Sequence, residues 1–295
     1  IYINPNIRNL LNNIIATKRL QHIIITGSVG VGKTIVAEAL IRELYGQKFD
    51  KYLFINASDD RSFKNVKDKI IQYCKIKTDG TIPKIIIFDE ADKSIDKTQN
   101  SINAIMDEYK EKVYFIFTCN DHSEIINSIQ SKCSIIRFPL CTDEQIRENI
   151  LKIIEKEKIK YDETGLNSLI YSAQGDMRQA INNLQKCSYD KITKNNVLLM
   201  CDLPDPEFVN EIILFCKKKE FDNAKNKLEQ MIGNGYAYTD IIKSFIYVVT
   251  KYPYTKHEQI KLMEIISHTQ TQICKEITSL LQLNAMLARM VSMYT

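Results

Sequence analysis

Eight residues, Gly27-Ser28-Val29-Gly30-Val31-Gly32-Lys33-Thr34, constrain this chain more than any others. They fit the pattern of a glycine, four residues, then Gly-Lys-Ser/Thr, which signals a phosphate-binding loop when a strand precedes it and a helix follows. Both flanks are present. Residues 23–26 are an apolar β-branched run, and the spacing of apolar residues predicts a helix over 33–45. Glycines let backbone N–H groups turn inward around phosphate oxygens, and the following helix adds the positive end of its dipole. In such a loop Gly27, Ser28, Val29, Gly30, Val31 and Gly32 wrap the phosphates. Lys33 supplies a point charge to the β- and γ-phosphates, and the Thr34 hydroxyl is a Mg²⁺ ligand.

The surrounding pattern predicts an α/β fold. Strands at 23–26, 52–56, 84–89, 113–118 and 135–138 alternate with helices at 33–45, 60–74 and 98–109. That alternation implies right-handed crossovers and a parallel sheet covered on both faces. Ligands of open parallel sheets sit at the C-terminal strand ends, so the residues there carry the chemistry. Strand 84–89 ends in Asp89-Glu90-Ala91-Asp92. Asp89 is placed to hold Mg²⁺ beside the phosphates, and Glu90 to orient and deprotonate an attacking water. Strand 113–118 runs into Cys119-Asn120. The Asn120 amide either hydrogen-bonds the γ-phosphate or the lytic water, or caps the next turn, whereas Cys119 reads as a small buried residue.

After Leu140 the period becomes helical. Thr142 with Gln145 opens a helix running to about Lys158, and Asp162, Asp176 and Thr193 are candidate caps for short helices that follow. Gly175-Asp176-Met177-Arg178 places an Arg at a helix start, where it either reaches the phosphates from a second domain or forms an ordinary surface i,i+4 pair. Leu203-Pro204-Asp205-Pro206 breaks the pattern, and an all-helical segment follows. The expected division is an α/β domain at 1–139, a helical lid at 140–202 and a helical collar at 203–295.

Net charge is +4 across 295 residues, too small an excess for a non-specific nucleic-acid coat, and all of it lies within residues 1–139. Arg61, Lys64, Lys67, Lys69, Lys75 and Lys77 face only Asp68 over 61–77, which marks either a solvated helix face or a phosphate-contacting one. The eight cysteines show neither a CxxC pair nor zinc-ligand spacing, and read as reduced thiols. No apolar run approaches the ~18 residues of a membrane span, and no basic leader with an apolar stretch opens the sequence.

Together, residues 27–34, 88–92, 118–120 and 175–182 resemble the Walker A, Walker B, sensor 1 and sensor 2 motifs of an AAA+ ATPase. Asn56-Ala57-Ser58-Asp59-Asp60-Arg61, Asp89-Glu90-Ala91-Asp92, Ser131-Lys132-Cys133 and Leu203-Pro204-Asp205-Pro206 narrow the resemblance to small subunits of replication factor C, the clamp loader. It implies a P-loop AAA+ domain, a lid and a collar. It implies an ATP hydrolase working in a hetero-pentamer that opens a ring-shaped, PCNA-type sliding clamp and loads it onto primer–template DNA. By the resemblance, Lys33, Thr34 and Asp89 bind MgATP, Glu90 is the catalytic base, Asn120 is sensor 1 and Arg178 is sensor 2. Arg61, Lys64, Lys93 and Lys97 are the DNA candidates, through phosphate contacts that carry no sequence information. Ile70, Ile71 and Tyr73 form a candidate clamp-contacting patch, for which core packing is the competing explanation. The resemblance also implies an intracellular protein, acting in the nucleus or at a viral replication site.

Two departures stand out. The family's Ser-Arg-Cys finger is here Ser131-Lys132-Cys133, and Lys lacks the planar fork that spreads charge over a neighbour's phosphoryl group. The Tyr-Arg-Pro segment that helps build the family's adenine pocket has no counterpart before Asn9. The competing readings are a nucleotide-binding scaffold subunit that does not hydrolyse, and another DNA-directed AAA+ machine such as a helicase loader or a branch-migration motor.

Overall fold

The computed structural model describes residues 5–17, 20–46, 52–58, 63–76, 83–110, 112–275 and 279–294. Their contacts divide into two compact units: residues 1–159 with 169–185, and residues 160–168 with 186–295. This division follows neither the expected boundary near 140 nor that near 203, because it passes through two helices of the lid.

The first unit is built on a five-stranded parallel sheet in the order β2-β3-β4-β1-β5. Its strands are β1 (His22–Gly27), β2 (Tyr52–Asn56), β3 (Lys84–Asp89), β4 (Val113–Cys119) and β5 (Cys133–Phe138). All six residues of β3 are buried, as expected of an Ile-rich strand in the interior of a sheet covered on both faces. Strand β1 pairs Ile23 with Ile116 of β4 and His22 with Cys133 of β5, which sets its last residue beside the ends of its neighbours.

Alternation of side chains along these strands creates two apolar layers. One holds Ile23, Ile25, Ile85, Ile87 and Ile116 under helices α1 (Pro5–Thr17) and α2 (Lys33–Tyr45). The other holds Ile24, Ile86, Phe88, Phe115 and Phe117 under α3 (Phe63–Lys75), α4 (Asp96–Glu108) and the single-turn α5 (Asn127–Gln130). Helix α1 was not anticipated from sequence, although Ile7, Leu11 and Ile14 recur at helical spacing and Leu11 and Ile14 are buried. Lys84, only 5% exposed, donates to the carbonyls of Tyr73, Cys74 and Ile76 and so caps the C-terminal end of α3.

Ile70 of α3 is fully buried in the second layer, so it offers nothing to a partner's surface. Ile71 and Tyr73 pack partly against the same layer, and the Tyr73 hydroxyl donates to the Ile85 carbonyl at 3.4 Å. Core packing therefore accounts for the patch that the sequence offered as a clamp contact.

The lid opens with α6 (Asp143–Glu157), whose Thr142 and Gln145 form the reciprocal capping box expected from sequence. Helices α7 (Glu163–Ala173), α8 (Met177–Cys187) and α9 (Lys194–Cys201) follow. Asp162, Asp176 and Thr193 each accept a backbone N–H at the start of one of these three.

The second unit is helical. It contains α10 (Pro206–Lys217), α11 (Phe221–Gly233), α12 (Tyr238–Lys251), α13 (Lys256–Cys274) and α14 (Leu280–Met293). Asp205 caps α10 and Pro206 occupies its first turn, so the Pro-rich break seen in sequence is a helix-start signal. One apolar cluster, including Ile212, Leu228, Phe245, Leu262, Leu283 and Met286, draws on all five of these helices. Among the described residues no helix is long and apolar enough to cross a membrane.

Candidate functional site

Strand β1 delivers the loop of residues 27–34 to the C-terminal edge of the sheet. Gly30 and Gly32 take the left-handed φ values of 72° and 91° that the turn into α2 requires. Lys33 folds back over this loop: its Nζ donates to the carbonyls of Gly27 and Ser28, both at 2.8 Å, and to Asn120 Oδ1 at 2.9 Å. Burial lowers the Lys33 pKa from its ordinary value and nearby Arg178 adds to this, while Cys119, Asp92 and Asp89 oppose it. Asn120 is fixed in turn, since its N–H donates to Asp92 Oδ2 at 3.0 Å and its carbonyl accepts from the Thr26 hydroxyl at 3.2 Å.

Beside the lysine, Thr34 Oγ1 donates to Asp89 Oδ1 at 2.7 Å. The same carboxylate oxygen accepts from the Thr118 hydroxyl, which itself receives the Glu90 N–H at 3.2 Å. A hydroxyl and a carboxylate are hard oxygen donors of the kind Mg²⁺ takes, and Mg²⁺ is ordinarily held by one or two such groups together with substrate phosphates. These residues therefore fit the ion. Among the described residues no three His, Cys, Asp or Glu side chains gather into a metal cage of their own.

Glu90 sits in a left-handed conformation, φ 54°, an uncommon backbone state for a residue with a side chain. That turn separates its carboxylate from Asp89, and Glu90 Oε2 accepts from Lys93 Nζ at 2.6 Å. The hydrogen bond from Lys93, with a further one from Ser58, holds the Glu90 pKa below the usual carboxylate value. Burial pushes the Cys119 thiol up to about 11, so at neutral pH it is a protonated buried group and not a nucleophile.

A cavity of about 500 Å³ opens above the loop, between Gly30, Lys33, Thr34 and Ile35 on one side and α6 and the start of α8 on the other. Arg178 lines it from α8. The remaining wall was not anticipated: Asn149, Lys152, Ile153 and Lys156 form one stripe of α6, with Met177 and Ile181 opposite. The i, i+3, i+4, i+7 spacing of that stripe is visible in the sequence, but nothing local says that it faces a ligand.

Of the other candidates, Lys93 joins the site through its bond to Glu90, whereas Lys132 is engaged elsewhere. Lys132 Nζ is bound to Asn103 Oδ1 at 2.7 Å and Asp107 Oδ1 at 2.6 Å, both on α4, and so is tied within its own chain. Lys93 and Lys97 are exposed at and just after the short turn that follows β3. Arg61 is outside the described residues, and Lys64 falls in the first turn of α3, where only the backbone is described.

Comparison with known proteins agrees with this geometry. The profile for the ATPase family associated with various cellular activities matches residues 23–140. The profile for the RFC1-like AAA+ ATPase lid domain matches 143–195, and that for the replication factor C C-terminal domain matches 204–289. A replication factor C small subunit of Acanthamoeba polyphaga mimivirus is 41% identical, covering 99% of this chain and 92% of that protein. Replication factor C subunit 2 of Arabidopsis thaliana is 34% identical, covering 92% of this chain and 83% of that protein. The small subunit of Haloarcula marismortui is 32% identical, covering 97% and 89%. Among solved structures, the RuvB Holliday junction branch migration motor of Thermotoga maritima shares the fold, with a TM-score of 0.57, 14% identity and coverage of 72% of this chain and 76% of that one. At that identity the likeness speaks for the fold alone. With the phosphate loop, the acidic strand end and matched profiles from residue 23 to residue 289, the chain belongs to the replication factor C small-subunit family of AAA+ ATPases.

Proposed function

We propose that this chain is an ATP-hydrolysing subunit of a hetero-pentameric clamp loader, using ATP binding and hydrolysis to open a PCNA-type sliding clamp and place it on primer–template DNA, in the nucleus or at a viral replication site. One observation carries this reading. Two hydrogen-bonded groups, Lys33 with Asn120 and Thr34 with Asp89, lie at the sheet's C-terminal edge on consecutive residues of one loop, with Glu90 one residue beyond Asp89. A scaffold that merely bound nucleotide would have no use for Glu90 at that edge.

In this reading the N–H groups of residues 27–34 and the N-terminus of α2 take the β- and γ-phosphates. Lys33 Nζ exchanges its contacts with Gly27, Ser28 and Asn120 for phosphate oxygens. Thr34 and Asp89 would hold Mg²⁺, which would neutralise charge on the phosphate oxygens. Asn120, released by Lys33, is free to orient the attacking water. Glu90 accepts that water's proton on its carboxylate, and its lowered pKa keeps it deprotonated at neutral pH. Arg178 reaches the γ-phosphate from α8.

Between subunits, Lys132 acts on a neighbour's phosphates once it leaves Asn103 and Asp107. Lys93 and Lys97, with Arg61 and Lys64, follow the duplex backbone, each adding about one unit to the salt dependence of binding. The domain division at 139 and 202 separates the ATPase core, the lid and the collar.

The test is hydrolysis by the assembled complex, measured as phosphate release with and without clamp and primed DNA. Stimulation by the two together is expected. A rate indifferent to both would remove the loader reading, and an unchanged rate on Glu90→Gln in every such subunit would favour the scaffold.

A further inference from the structure

We propose that Asp176 is a positioning residue that keys the start of α8, and with it Arg178, onto the phosphate loop at Gly30. This rests on the nucleotide-site reading above and deepens it. Asp176 does two things at once. Its Oδ1 accepts the Gln179 N–H at 2.9 Å, capping α8. Its carboxylate also occupies the space where Gly30 has no side chain: a β-carbon at Gly30 would fall 1.7 Å from Asp176 Oδ1 and 2.1 Å from its Cγ.

Gly30 is therefore small for two reasons. Its φ of 72° favours glycine, and the lid's carboxylate needs its face. Behind Asp176 the backbone is pinned as well, because the Gly175 carbonyl accepts the Cys141 N–H at 3.1 Å and a β-carbon at Gly175 would meet Leu140 Cβ at 3.0 Å. The turn of backbone carrying Arg178 is thus held against the loop that wraps the phosphates, two residues from the contact itself. Arg178 is the second residue of α8 and lines the cavity above the loop, so where α8 begins fixes where that guanidinium lies. The N-cap alone does not achieve this, since a cap fixes the helix start without fixing what it faces.

The experiment separates capping from keying. Gly is tolerated at a helix N-cap and carries no side chain to reach Gly30, whereas Asn keeps both the cap and the shape. Affinities of the full-length chain for fluorescent ATP and ADP analogues are measured with magnesium for wild type, Arg178→Ala, Asp176→Gly, Asp176→Asn and the Arg178→Ala/Asp176→Gly double variant. Arg178→Ala and Asp176→Gly should each weaken ATP binding about tenfold, the scale of one charge-assisted hydrogen bond, with ADP binding changed less than about twofold. Asp176→Asn should bind as wild type, and the double variant no worse than Arg178→Ala alone. Equal losses for ATP and ADP, or an Asp176→Gly effect that persists in full without Arg178, would overturn the keying role. Failure of the wild-type chain to bind either nucleotide would instead overturn the nucleotide-site reading itself.

Discussion

The sheet-centred unit and the helical C-terminal unit use their polar residues differently. In the first, two hydrogen-bonded groups, Lys33 with Asn120 and Asp89 with Thr34 and Thr118, lie at the ends of three adjacent strands. In the second, polar groups serve helix ends and surface pairs: Asp205 caps α10, Thr255 and Glu258 form a capping box on α13, and Lys217 bridges to Glu258 at 2.6 Å. The stability of the sheet unit comes from two apolar layers lying away from the strand ends. The helical unit has one cluster, to which all five of its long helices contribute. Chemistry and stability are thus separable in the first region, whereas in the second the described polar groups serve the fold itself.

The strongest challenge to that contrast is Glu90→Gln. Its side chain is 36% exposed and contributes to no apolar layer, so hydrolysis should fall by about 10²–10⁴-fold while the thermal midpoint holds. A fall in midpoint comparable to a core substitution would show that site and scaffold are not separable. Phe245→Ala makes the opposite demand. Phe245 is fully buried on α12, and its truncation should cost about 3–5 kcal/mol in denaturant unfolding of the helical unit with nucleotide affinity unchanged. A weakened nucleotide affinity would contradict the division of labour.

The smallest effect concerns pH. Hydrogen bonds from Lys217 and Thr255 hold the Glu258 carboxyl at about 2, below its ordinary value of 4.5. A depressed carboxylate stabilises the fold above its unfolded value, and that stability is lost as pH falls through the folded one. Acid unfolding should therefore show a contribution from Glu258 between pH 4.5 and about 2, absent in Glu258→Gln. Because Lys217 is half exposed, the difference at neutral pH should be about 1 kcal/mol or less. A larger effect would mean that surface pairs do more for the collar than its core suggests.

What was readable in the sequence follows the same division. The phosphate loop and β3 are contiguous motifs whose spacing reflects backbone geometry, and the strands they belong to fall where the pattern places them. The capping residues Thr142, Asp162, Asp176 and Thr193 were readable because a cap is a local bond across three residues. The cavity wall on α6 was not, since a stripe of Asn149, Lys152, Ile153 and Lys156 looks like any amphipathic face until the fold sets it opposite the loop. Ile70 is the converse case, a residue for which the sequence left a clamp contact and core packing open and which packing draws inward. Lys132 was recognised as a departure, but its partners on α4 are distant in sequence and no local pattern names them.

The strand order has a consequence for how the molecule comes into being. Among the described residues strand β1, which ends in the phosphate loop, pairs with β4 and β5, while β2 and β3 pair with each other and join the sheet through β4. A chain emerging from the ribosome thus exposes its loop early but has nothing to pair β1 with until residue 113 is made, and both its edges are met only once β5 has followed. Contacts of such sequence separation form slowly. Through most of the unit's synthesis the Ile23-Ile24-Ile25 segment is an unpaired apolar strand, open to mispairing with another chain. ATP cannot help the early chain by binding it, because the residues that would complete its site have yet to be translated.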